Sequence, residues 1–319
     1  MGKTKKRIWI ATAVLLAVVL VAGFAAGSYF YTLAIDPTSD KTVVLQAPHN
    51  VLGGSDEAAR RRQQENEAWF AGVGYEDVWM QSGDGLSLHA YKIEQPGAER
   101  WAILAHGYNG TGRQMIRAAM QYTQWGYSVL LPDARGCGES EGDYIGMGWD
   151  ERLDMVGWIN AINEEHAPHT IVLHGVSMGG ATVMMASGED LPENVRAIVE
   201  DCGYTSAWDE FAYQLKGIFG LPAFPVMHFS AVVTRLRAGY WLHQASAVRQ
   251  VAKSQVPILF IHGSEDTFVP TYMLYEVYEA ASCEKELLVI EGAGHGAAST
   301  TDEGLYWGTV DAFLACHAA

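Results

Sequence analysis

The distribution of apolar residues divides the chain into three stretches. From Ile8 to Ile35 the only clearly polar side chains are Thr12, Ser28 and Thr32, a run longer than the roughly 20 residues a helix needs to cross a bilayer. Residues 36–74 are mixed and predict a stalk and a helix leading into a domain. The stretch "SDEAARRRQQENEAWFAG" begins with Ser55 as an N-cap and acids in the first turn, and ends with Gly72 after Trp69 and Phe70. From Tyr75 onward, over 75–319, short apolar or β-branched runs alternate with segments of helical length. "YEDVWMQ" and "LSLHAYKI" flank "SGDG" and predict a hairpin, and "WAILA", "YSVLLPD", "TIVLHG", "VRAIVED", "PILFIHG" and "ELLVIEG" predict further strands. Such alternation predicts a mostly parallel sheet covered by helices on both faces. Residues 204–247 form an insertion too long for a simple crossover, aromatic and broken by Pro222 and Pro225.

Charge gives the first stretch a direction. Lys3, Lys5, Lys6 and Arg7 precede the apolar run and Asp36 and Asp40 follow it. The positive-inside rule therefore predicts that residues 1–35 are a cytoplasmic tip and a membrane anchor, with the rest of the chain across the membrane. The alternative is a cleaved signal peptide leaving a secreted protein, since "AGFAAG" offers small residues for a peptidase. The net charge is -16 and the rest of the chain carries -20, which argues against a nucleic-acid partner. Cys137, Cys202, Cys283 and Cys316 show no metal-ligand or disulfide spacing and read as packed thiols. No cofactor or metal is predicted.

In open α/β sheets, ligands bind beyond the carboxyl ends of the strands. There the chain places His106, Gly107 and Tyr108 after "WAILA", Ser177 after "TIVLHG", Glu265 and Asp266 after "PILFIHG", and His295 after "ELLVIEG". A serine hydroxyl becomes a nucleophile when an imidazole takes its proton and a carboxylate orients that imidazole. Asp266, Glu265 and Asp201 all compete for the carboxylate role. Gly175 and Gly179, two residues either side of Ser177, suit a tight and strained strand-to-helix turn. His106 and His174 read as structural hydrogen-bonding groups, and Asp133 with Arg135 as an ion pair beside the site.

The stretches "GVSMG", "HGY", "GSEDTFVP" and "GAGH", in this order, resemble the α/β-hydrolase superfamily, and with the anchor they resemble its membrane-anchored bacterial serine aminopeptidase-like members. In "LPDARGCGESEG", relatives often have histidine where this chain has Cys137. The resemblance implies an eight-stranded α/β-hydrolase sheet after one transmembrane helix, with the insertion over about 204–247 as a helical cap. It implies that Ser177 is the nucleophile, His295 the base and Asp266, in the "D-x-x-V-P" form, the acid. The backbone N–H groups of Tyr108 and Met178 would form the oxyanion hole. The expected activity is a carboxylesterase-like serine hydrolase acting on a small-molecule or lipid-like acyl ester. A peptidase or acyltransferase on the same triad, and a membrane-tethered binding protein without catalysis, are the alternatives.

Overall fold

The computed structural model describes residues 3–47 and 57–318. The N-cap expected at Ser55 lies outside the described residues. Eight strands, β1 (Glu76–Gln81), β2 (Ser87–Ile93), β3 (Arg100–Ala105), β4 (Ser128–Pro132), β5 (Thr170–Val176), β6 (Val195–Asp201), β7 (Ile258–Gly263) and β8 (Lys285–Ile290), form one sheet in the order β1-β2-β4-β3-β5-β6-β7-β8. The β1–β2 hairpin and the β2–β4 pair are antiparallel, and every pair from β4 to β8 is parallel. Each stretch picked out by its apolar run is therefore a strand of this sheet.

The helices are α1 (Lys3–Ala34), α2 (Thr42–Leu45), α3 (Glu57–Val73), α4 (Ile116–Gln124), α5 (Glu151–His166), α6 (Met178–Ala186), α7 (Ala207–Phe219), α8 (Ala223–Arg237), α9 (Ala247–Val251), α10 (Tyr272–Ala280), α11 (Ala298–Thr301) and α12 (Glu303–His317). Successive strand residues point to opposite faces, and the core follows that period. Ile103, Leu173, Ile198 and Phe260 join α5, α6 and α10 on one face, whereas Leu104, Val172, Val199 and Leu259 join α4 and α12 on the other. Both faces being buried explains why the central strands read as continuous apolar runs rather than as alternation.

The insertion between β6 and β7 holds α7 and α8. Ser206 caps α7 by accepting the Asp209 N–H at 3.0 Å, and Gly220, at φ 65°, ends it. The first turn of α8 is broken at Phe224 (φ -87°, ψ 132°), because a residue before proline avoids the helical region.

The first helix has two unlike parts. Every residue from Ile8 to Ala22 is exposed, and the helix is long and apolar enough to cross a membrane. Its last turns instead pack on the insertion. A Cβ on Gly23 would meet the Phe229 ring at 2.3 Å and one on Gly27 would meet the Phe229 main chain at 2.8 Å, so these glycines let α1 and α8 approach closely. Beyond it the chain folds down onto the domain: Lys41 Nζ donates to the Leu33 and Asp36 carbonyls at 3.0 and 2.6 Å, and the Ile145 N–H donates to the Ile35 carbonyl at 2.8 Å. An ammonium there satisfies carbonyls that the helix end leaves open.

Candidate active site

Ser177 stands at the turn from β5 into α6, at φ 59° and ψ -119°, with its N–H held by the Asp201 carbonyl at 2.8 Å. A non-glycine residue at positive φ carries backbone strain. The flanking glycines make the turn sterically feasible. A Cβ at Gly175 would lie 2.1 Å from the Gly179 carbonyl oxygen, and one at Gly179 would lie 2.0 Å from that of Ala105. The second glycine thus serves the approach of α6 to β3.

Loops after β7 and β8 bring two further residues to this serine. Ser177 Oγ lies 2.8 Å from His295 Nε2, and His295 Nδ1 lies 2.7 Å from Asp266 Oδ2. Burial works against the Asp266 carboxylate, but its hydrogen bonds to His262 and His295 hold it at about 2. An ionised acceptor fixes the proton of His295 on Nδ1 and leaves Nε2 to accept from the serine. Asp266 Oδ1 accepts the N–H groups of Phe268 and Val269, each at 2.9 Å. That turn also stacks the Phe268 ring on His295, with centroids 4.8 Å apart.

The competing acids are committed elsewhere. Glu265 is exposed. Asp201 is buried and accepts from Tyr306 Oη at 3.0 Å, and burial raises its carboxyl to about 6. Among the other histidines, His106 lies between the Gly107 carbonyl (2.7 Å) and the Ala134 N–H (2.9 Å). His174 lies between the hydroxyls of Tyr122 and Tyr306, and burial lowers it to about 3. The expected Asp133–Arg135 ion pair does not form. Arg135 pairs with Asp154 and Asp84 at 2.7 and 2.9 Å, whereas Asp133 accepts from the Gly112 and Glu139 N–H groups and lies 2.9 Å from His89 Nδ1. Cys137 and Cys202 are packed thiols, but Cys316 is exposed.

The Met178 N–H opens the first turn of α6, where helical N–H groups lack an intrahelical partner. Gly107 lies against Ser177, its Cβ position 3.4 Å from that of the serine, and so places Tyr108 beside it. The Tyr108 hydroxyl donates to the Ala34 carbonyl at the end of α1, at 2.7 Å.

Ser177 lies between two cavities. One is lined almost wholly by apolar side chains, among them Phe30, Tyr204, Phe211, Phe219 and Met227, the kind of lining that ligand clefts have. The other is open and mixed, and Arg62, Gln63, Asn66, Gln114, Ser299 and Thr300 contribute its polar groups. Phe224, aromatic and in the same insertion as Phe219, points outward and is 72% exposed.

Sequence reading missed several buried polar groups. His262 Nε2 lies 3.2 Å from Asp266 Oδ2 and 2.8 Å from the Val269 carbonyl. Burial disfavours its charged form, yet Asp266, Val269 and Glu200 outweigh that and raise its pKa. Glu200 is raised by burial to about 8, and a carboxyl directly after the apolar "AIV" of that strand was the signal available. Cys202 sits within 4.8 Å of both Asp266 and His295, its thiol kept protonated by burial. Glu210 of α7 borders the apolar cavity; Gln214 Nε2 donates to its Oε1 at 3.0 Å, Oε2 has no partner among the described residues, and burial raises the group to about 8.

Comparison with known proteins bears on this arrangement. Residues 102–221 match the family model described as the alpha/beta hydrolase fold. The Bacillus subtilis protein YqkD is 24% identical over 310 residues, covering 97% of both chains. A Saccharomyces cerevisiae membrane protein, YNL320W, is 25% identical over 247 residues, covering 76% of this chain and 80% of its own. The solved structure of the Pyrococcus furiosus esterase Pf2001 superposes with a TM-score of 0.63 at 21% identity, over 85% of this chain and 97% of that one.

Proposed function

The chain is an α/β-hydrolase-fold protein, and on that premise we propose that it is a serine hydrolase cleaving acyl esters through an acyl-enzyme. Ser177 Oγ attacks the ester carbonyl while His295 Nε2 takes its proton, and Asp266 stabilises the imidazolium that results. The N–H groups of Met178 and Tyr108 hold the oxyanion, where loss of one donor typically costs about 3–4 kcal/mol of barrier lowering. The acyl chain occupies the apolar cavity. The alcohol, protonated by His295, leaves through the polar one, and a water then follows the same route to release the acid.

The observation that carries this reading is the unbroken line of hydrogen bonds from Ser177 through His295 to Asp266, at 2.8 and 2.7 Å, at the seam of the two cavities. A fluorophosphonate probe tests it. Wild-type protein should be labelled and Ser177→Ala should not; labelling that persists in the variant refutes the assignment.

The domain boundaries follow from the same reading: an anchor over 1–35, a connecting segment over 36–74 and a catalytic domain over 75–319 with a cap over about 204–247. The basic cluster in the first two turns of α1 supports a cytoplasmic N-terminus and an extracytoplasmic catalytic domain. Protease added to spheroplasts should digest the domain and spare cytoplasmic markers. Full protection of the domain would reverse the orientation.

A further inference from the structure

From the apolar cavity we infer that the membrane helix is itself a wall of the acyl site, and that the substrate is a long-chain acyl ester drawn from the bilayer in which that helix sits. This rests on the serine-hydrolase reading of Ser177.

The cavity that reaches Ser177 is bordered by Phe30, Tyr31 and Ala34 of α1 together with side chains of α7 and α8. Phe30 meets Phe219 of α7 edge-on, with centroids 5.2 Å apart. Wall and cap are thus one packed unit. The exposed apolar stretch begins at Ile8, and roughly 20 residues from there, the length that crosses the hydrocarbon, end near Gly27. Gly27 is the position at which α8 closes on α1. From Gly27 to Ala34 the helix rises roughly 10 Å, so the cavity lies within about two turns of the hydrocarbon edge.

The cap carries surface suited to that level. Leu221, Phe224 and Leu236 are exposed apolar side chains. Arg237 reaches back over the Tyr31 ring at 5.1 Å, as a cation at a membrane interface does. A long acyl chain passing from bilayer to cavity along α1 would stay in contact with apolar surface. The mixed cavity on the other side of Ser177 then receives the polar alcohol. The small residues "AGFAAG", open to a peptidase in the linear sequence, include the two glycines that bind the cap, so cutting there would remove part of the helix pair that frames the cavity.

The test uses the full chain in phosphatidylcholine nanodiscs with 4-methylumbelliferyl butyrate, octanoate and palmitate. The series Ala34→Val, Ala34→Leu and Ala34→Phe fills the cavity from the α1 side. The palmitate-to-butyrate ratio of kcat/KM should fall stepwise, by at least tenfold at Phe, while Leu16→Ala on the exposed stretch leaves it within twofold. A disturbed oxyanion loop, reached through the Tyr108 bond to Ala34, would instead lower all three esters together, and that result overturns the inference. So does a flat ratio across Val and Leu, which decide the matter if the Phe variant does not fold. Absence of fluorophosphonate labelling in the wild type would refute the hydrolase reading itself, whereas labelling with a flat ratio refutes only the role of the helix.

Discussion

The two cavities that meet at Ser177 are built on different principles. The apolar one is closed by segments far apart in the chain, α1 at one end and α7 and α8 some 180 residues later. It buries its one carboxyl, Glu210, in a neutral form. The polar one is an open trough between α3 and the loops that follow β3 and β8, and Arg62 and Arg117 on its walls are partly exposed. On the serine-hydrolase reading, the apolar side would take the acyl chain and the polar side the departing alcohol and the hydrolytic water. On that reading, the asymmetry would give the serine a defined direction of attack.

The largest effects should come from the seam itself, because it serves both sides. Ser177→Ala or His295→Ala should lower kcat by about a million-fold, and Asp266→Asn by about ten-thousand-fold, with the fold retained by circular dichroism. Glu265→Gln should stay within twofold; if it proves the more damaging of the two acid changes, the assignment of Asp266 fails.

The next effects should separate the sides. Phe219→Ala should reduce kcat/KM for long acyl chains by about tenfold, the scale of one or two lost methylene contacts, with little change among alcohols. Arg62→Ala should alter preference among alcohols with little change among acyl chains. If each variant showed the other's pattern, the orientation of substrate would have to be turned around.

A smaller effect concerns stability. Burial holds Glu210 protonated to about pH 8, whereas its ordinary value is 4.5. The folded state then binds a proton that the unfolded state releases, so stability is full below the ordinary range and declines as pH rises through about 8. Glu210→Gln removes that loss. It should melt with wild type at pH 4 and above it at pH 8.5, where about 1 kcal/mol corresponds to about 2–4 °C in Tm. Identical melting curves at both pH values would show that the carboxyl is solvated. Phe224→Ala, outward-facing, should change short-ester turnover least, by under twofold.

Legibility followed the range of the interactions. Period-2 and apolar patterning marked the strands, and local glycines marked the Ser177 turn, because both are settled by residues within a few positions of one another. The strand ends also brought Ser177, Asp266 and His295 to one edge, since a parallel sheet collects all its carboxyl ends there. Partner choice among buried polar groups was not legible. Asp133 and Arg135 are two residues apart, yet each binds groups supplied by other loops and strands. Phe219 and Phe224 have the same chemistry and opposite fates: Phe219, at the end of α7, meets Phe30 of α1, whereas Phe224, at the break in the first turn of α8, is exposed.

By itself, then, the sequence determined the sheet, the order of its chemistry-bearing loops and an apolar helix long enough for a bilayer. Those features depend on short-range periodicity and on the geometry of the strand-to-helix turn. Only the tertiary structure decided that the last turns of that helix pack on the insertion between β6 and β7 and border the serine's apolar cavity. That decision rests on close contact between Gly23, Gly27 and Phe229, about 200 residues apart, and a pattern read along the chain has no term for which distant surface a helix will meet.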